Sequence, residues 1–172
     1  MSDFSALRRP SYFAGQLLTA EDLSLEQEYI REKQKRHNRT LHGFGIVSGL
    51  RVSIAAGNVV IAPGLALDCE GNELVVNSEQ AKLPINAAGA QEYVNLRYAE
   101  ITESEVVAHG ASSVIVESVE IDFSATNCNR NHRHLRGRWL ACGSAHDLTI
   151  AKLRRDKAGW RVDRRYRAAV VK

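Results

Sequence analysis

Residues 12–50 read YFAGQLLTAEDLSLEQEYIREKQKRHNRTLHGFGIVSGL: one long helix that passes through glycines into a β run. Thr19 is a good N-cap. Asp22, three residues on, completes a capping box with Asp in place of Glu, and Leu18 can staple onto Leu23. Glu21 and Asp22 suit the positive end of a helix. The pattern predicts a helix over residues 20–41. Leu23, Gln27, Ile30, Gln34, His37 and Leu41 recur at spacings of three and four and so form one stripe, thin and half polar. A helix of that kind lies across a sheet or against a partner, not inside a core. The basic run over residues 31–39 reads as a solvated face near a helix C-terminus, or as a contact to an acidic partner. Gly43 suits the C′ position.

Working outward, the chain is a series of short β runs punctuated by turns. Strand patterns cover residues 45–54, 59–61, 65–67 and 73–76, separated by Ala56-Gly57-Asn58, Pro63-Gly64 and the hairpin signal at 68–72. Residues 79–89 are a polar connection. Residues 92–101 alternate, with Val94, Leu96 and Tyr98 inward. Residues 102–112 read as a loop, and 114–123 as a strand with Val119, Ile121 and Phe123 on one face. Residues 126–146 are irregular and rich in Cys, His and Arg. A last hairpin turns at Asp156–Gly159, and residues 166–172 read as a tail, a final extended segment that binds something. The expected class is mainly β with one long N-terminal helix: an antiparallel β-barrel or sandwich of about seven to nine short strands. The arm and helix occupy residues 1–43 and the β domain residues 44–172, with the irregular loop at 126–146.

The 172 residues suffice for one domain with a sizeable core. Apolar runs are too short for a membrane span, and the N-terminus lacks a secretory signal core, so synthesis in a cytoplasm is expected. Cys69, Cys128 and Cys142 suggest no disulfide framework. Charge is uneven: residues 127–172 hold 13 Lys and Arg against 3 Asp and Glu, and the first 126 hold 10 against 17. The basic part could bind nucleic acid, another polyanion or a neighbouring subunit.

The densest reactive cluster pairs Cys128 with His132 and Cys142 with His146, two Cys-x3-His units. Closely spaced thiolate and imidazole pairs are how structural zinc sites are built, so one structural zinc is the cofactor expectation. Four protein ligands would close such a site to catalysis. His134 could replace His132. The alternatives are an ordinary exposed loop or a Cys128–Cys142 disulfide. Asp68, Glu70 and Glu73 lack the calcium-loop pattern and read as a solvated hairpin tip. Ser48 lies in a strand rather than a nucleophile elbow. No catalytic residue stands out. Partner contacts are expected at Tyr12, Phe13 and Tyr29 as aromatic anchors, and at Arg36, His37 and Arg39.

Tyr12-Phe13-x-Gly15-x-Leu17-Leu18-Thr19-x-x-Asp22-Leu23, Glu26-Gln27-x-Tyr29 and Arg36-His37-Asn38-Arg39-x-Leu41-His42-Gly43-x-Gly45-x-Val47-x-Gly49-Leu50 together resemble a bacterial family associated with phage tail-like particles and contractile injection systems. Pro63-Gly64-x-Ala66-Leu67-Asp68-x-x-Gly71-x-Glu73 and Leu148-x-Ile150-Ala151-x-Leu153 extend the likeness over most of the chain. It implies a non-enzymatic structural or adaptor part of a tail or baseplate. The partners would be other tail or baseplate subunits and further copies of the chain, and the mature location a tail-like particle. It implies no catalytic residue and no ligand set.

Overall fold

The computed structural model describes residues 6–82, 89, 91–107, 110–131 and 147–171. Helix α1, Ala20–His37, opens on the capping box: the Thr19 hydroxyl accepts from the Asp22 backbone N–H, and the Asp22 carboxylate accepts from the Thr19 backbone N–H. The helix then widens into one π-helical turn, Asn38–His42, closed by a hydrogen bond from Gly43 N–H to the Asn38 carbonyl. Among the described residues ten strands follow: β1 Gly45–Gly49, β2 Val52–Ala55, β3 Asn58–Ile61, β4 Gly64–Leu67, β5 Glu73–Val76, β6 Gln80–Lys82, β7 Gln91–Val107, β8 Gly110–Ser124, β9 Leu148–Asp156 and β10 Gly159–Val162. The fold is mainly β with one N-terminal helix, as the sequence pattern indicates. All strand pairs are antiparallel, in sheets of order β1-β4-β5, β2-β3-β6 and β10-β9-β7-β8.

The three sheets bury one core. Leu50, Val59, Ile61, Ala66, Leu74, Val94, Leu96, Leu148 and Leu153 are all at most 2 % exposed. Val119, Ile121 and Phe123 pack against it, on the face that alternation assigns them. On β7 the alternation is incomplete, because Tyr93 and Asn95 are buried along with Val94 and Leu96. A bulge at Val94/Asn95 locally disturbs the β7–β9 pairing. The second face is covered by polar structure. The Asn95 carboxamide oxygen accepts from the Thr149 hydroxyl at 2.7 Å, and Tyr166 packs edge-on to Tyr93.

One expectation about an irregular segment is corrected. Residues 102–112 are not simply a loop: β7 and β8 pair continuously from Tyr93↔Ser124 to Val107↔Gly110. The C-terminal tail is an extended segment that binds its own chain. Ile46 N–H donates to the Ala169 carbonyl at 2.8 Å and Val171 N–H to the Ile46 carbonyl at 3.0 Å, so the tail lines the open edge of β1. Gly45 permits this approach, since a Cβ there would lie 2.7 Å from Ala169 backbone atoms.

The turn between β4 and β5 is another close approach. A Cβ on Gly71 would lie 2.2 Å from the Lys35 carbonyl oxygen, and Gly71 has φ +89. Gly57, at φ +80, has open space instead. Gly57→Ala should therefore cost about 1–2 kcal/mol of backbone strain alone. Gly71→Ala should cost about 3 kcal/mol or more, because overpacking against backbone adds to the strain. Urea unfolding of the two variants in parallel checks the difference.

Candidate docking site

The helix attaches to the β body by a polar stripe. Asn38, 4 % exposed, donates from its carboxamide to the Gly71 carbonyl at 3.0 Å. Arg39 Nη1 donates to the Glu70 carbonyl at 3.2 Å. One and two turns back, Lys35 Nζ sits 5.9 Å from the Tyr98 ring centroid, and Arg31 lies 3.6 Å from the Glu100 carboxylate. The π turn widens the backbone where Asn38 and Arg39 meet the turn, the kind of local adjustment such turns make.

The receiving turn is built around Asp68, which is 1 % exposed and so is not the solvated tip that the sequence suggests. Its carboxylate accepts from the backbone N–H groups of Glu70 and Asn72 and from the Asn72 carboxamide at 2.7 Å. Asx-type bonding of this kind gives the turn its shape. Burial outweighs these hydrogen bonds and raises the Asp68 pKa above its ordinary value. Between helix, turn and sheet lies a cleft of about 230 Å³, lined by Arg31, Lys35, Asn72, Glu73, Tyr98 and Glu117 among others. The Tyr98 hydroxyl donates to Glu100 at 2.9 Å. Burial first, then its glutamate neighbours, push its pKa far up, so it serves as a donor and not as a base.

The stripe that the sequence marks out is offset by one residue from the stripe that docks. No residue of α1 is buried. Leu23, Ile30 and Leu41 are exposed, and so are Phe13, Leu17 and Leu18 on the segment before the helix. Among the expected anchors, Phe13 is 72 % exposed. Tyr12 is exposed and donates to Glu26 at 2.9 Å. Tyr29 is half-buried beneath Lys33. Arg36 is half-buried, and Arg39 is engaged with its own chain rather than turned wholly outward. His37 faces His42 with ring nitrogens 3.2 Å apart, a spacing that requires one ring to accept the other's proton.

Sequence reasoning missed a second exposed surface. Beyond Leu96, β7 pairs with β8 alone, for eleven further residues or about 36 Å at the usual strand rise. Ile101, Val114, Ile115 and Val116 on this two-stranded arm are exposed. The unbroken Val114-Ile115-Val116 run was the available signal. Along α1, falling residue number accompanies rising number on β7, from Lys35 over Tyr98 to Arg31 beside Glu100. The N-terminal half of α1 and the arm therefore point the same way off the body.

Of the expected zinc ligands, His132, Cys142 and His146 lie outside the described residues. Cys128 is half-buried and opens a 3-10 turn, Cys128–Asn131. The Asn129 carboxamide fixes that turn by pairing with both backbone groups of Thr149, each at 2.8 Å, as a neighbouring strand would. Among the described residues no group of three or more His, Cys, Asp and Glu is placed to hold a metal, and no helix is long and apolar enough to cross a membrane.

No protein-family model and no curated protein matches the chain. Solved structures do. A type VI secretion system baseplate complex contains a chain with TM-score 0.60 at 12% identity, over 96% of this chain and 42% of that one. The TssK-TssF-TssG baseplate subcomplex contains one with TM-score 0.57 at 12% identity, covering 95% and 62%. Crystalline TssK gives 0.53 at 12%, covering 92% and 41%. The fold is shared with these components, and the chain spans about two fifths to three fifths of their length.

Two outcomes test the docking of helix on turn. Asn38→Ala removes a buried hydrogen bond and orphans the Gly71 carbonyl, and should cost about 1–3 kcal/mol in chemical unfolding. Because the folded state raises the Asp68 pKa, the stability tied to its proton is fully present below the ordinary value of 3.8 and is lost as pH rises through the raised value. Unfolding midpoints of parent and Asp68→Asn across the acid range should therefore diverge, with the parent losing ground as pH increases.

Proposed function

We propose that this chain is a non-enzymatic structural subunit of a contractile-injection-type baseplate, and that it docks through the end where α1 and the β7–β8 arm stand off the body. The observation that carries the reading is the set of exposed apolar side chains on the two projecting elements: Phe13, Leu17, Leu18, Leu23 and Ile30 on the N-terminal segment and helix, and Ile101, Val114, Ile115 and Val116 on the β7–β8 arm. Exposed apolar surface gathered in this way marks interaction sites on proteins. The helix spends its polar stripe on its own domain and leaves its apolar stripe for another surface. The likeness in fold to type VI secretion baseplate components supports the class of assembly. The likeness of the 12–50 motif to a family linked with phage tail-like particles points the same way. On this reading the partners are other baseplate or tail subunits and further copies of the chain, and the mature location is the assembled particle. Phe13 and Tyr12 are the aromatic anchors, in the manner of interface hot spots.

A second reading has its own observation. Arg154, Arg155, Lys157, Arg161, Arg164, Arg165 and Arg167 are all exposed within one stretch of sequence, which could hold a nucleic acid or another polyanion. Such binding would weaken steeply with salt. The structural zinc at Cys128, His132, Cys142 and His146 is carried forward as a proposal, checked by elemental analysis of protein purified without chelator.

The test of the first reading is co-expression with the genes that flank this one, followed by affinity co-purification. Leu17→Asp, Leu23→Asp and Ile30→Asp combined should leave thermal stability within about 0.5 kcal/mol of the parent, since all three sites are exposed. The same variant should lose the co-purifying subunits. Retention of the full complex by it would overturn the assignment of this surface.

A further inference from the structure

The four-stranded sheet β10-β9-β7-β8 carries opposite charge at its two extremes. Residues 98–124, which make the arm and its root, hold six carboxylates and no Lys or Arg. Residues 154–167, which make the β9–β10 corner, hold seven Lys and Arg against two Asp. Both of those aspartates are already engaged, Asp156 with Arg161 at 3.0 Å and Asp163 with Arg154 at 3.5 Å. Arg155 stacks over Trp160 at 6.0 Å, presenting a cation on an aromatic plate.

The two regions cannot meet within one chain. The corner lies where Arg154 pairs with Gln91, at the start of β7, whereas the arm begins beyond Leu96 and runs away from it. The arm also has what an interface needs besides charge. Ile101 and Val116 face each other across the ladder and so share one face, with Ile115 on the other. All are exposed. β8 ends the sheet with a 15-residue edge that no other described strand pairs, and an unpaired edge is a template for association.

We propose that the acidic β7–β8 arm of one copy docks on the basic β9–β10 corner of a second copy. This rests on the self-association included in the proposed function. The two patches differ, so the contact is head-to-tail, and repetition closes a ring or extends a filament. Charge complementarity sets orientation and encounter rate, and the β-branched side chains supply the buried area.

The experiment uses full-length protein, light scattering at low salt and two charge-reversed variants. One carries Glu103→Lys and Glu105→Lys on the arm. The other carries Arg155→Glu and Arg165→Glu on the corner. Each alone should raise the apparent dissociation constant of self-association by about tenfold or more. An equimolar mixture should associate again, because the corner variant's intact arm meets the arm variant's intact corner and the two reversed patches are complementary as well. All four substitutions in one chain should restore self-association, which also shows that lost association is not misfolding. If both variants associate as the parent does, the contact is overturned while self-association stands. If the parent is monomeric throughout, self-association falls and the contact with it. If the corner variant loses only the binding of labelled single-stranded DNA, the corner is a polyanion site and the contact is overturned.

Discussion

The seat of α1 on the β4–β5 turn is the constraint from which the rest of the molecule's layout follows. Asp68 folds the turn around its own carboxylate, Gly71 lets the turn backbone touch the helix backbone, and Asn38 closes the contact with a buried hydrogen bond. Each part is needed by the others. A side chain at Gly71 would collide with Lys35, and Asn38 would then have no carbonyl within reach. The contact is small and polar, so it fixes direction more than it adds burial.

Because the helix is held at one end and by one stripe, its other stripe stays uncovered. The N-terminal half of α1 and the β7–β8 arm leave the body in the same direction, and both carry apolar side chains that nothing among the described residues covers. A monomer in water gains nothing from such surfaces. Their placement on two separate projecting elements, rather than on the compact body, is the physical basis for reading the chain as a part that is completed by its neighbours.

Other irregular segments are pinned to the sheets by backbone pairing. The tail returns to pair with β1, and the Asn129 side chain stands in for a strand beside Thr149. These contacts anchor both sides of the region that bears the zinc expectation, and they leave the cations of 154–167 at the surface. The molecule thus has an apolar, acidic end and a basic end joined by one sheet.

By itself, the sequence determined the β-rich class, the single capped helix, the turns at Gly57, Pro63–Gly64 and Asp68–Asn72, and the inward face of β8. These follow from local rules: a capping box, period-two alternation and turn chemistry all act within a few residues. It also marked Leu23, Ile30 and Leu41 as one face of α1. Only the tertiary structure decided that this face points away from the body. The reason is that docking depends on the Asn38–Gly71 pair, 33 residues apart, which no periodicity reveals. The continuous β7–β8 arm, the burial of Asp68 and Tyr93, and the return of the tail to β1 were hidden for the same reason. Each depends on which distant backbone lies alongside, and composition over a short window carries no record of that.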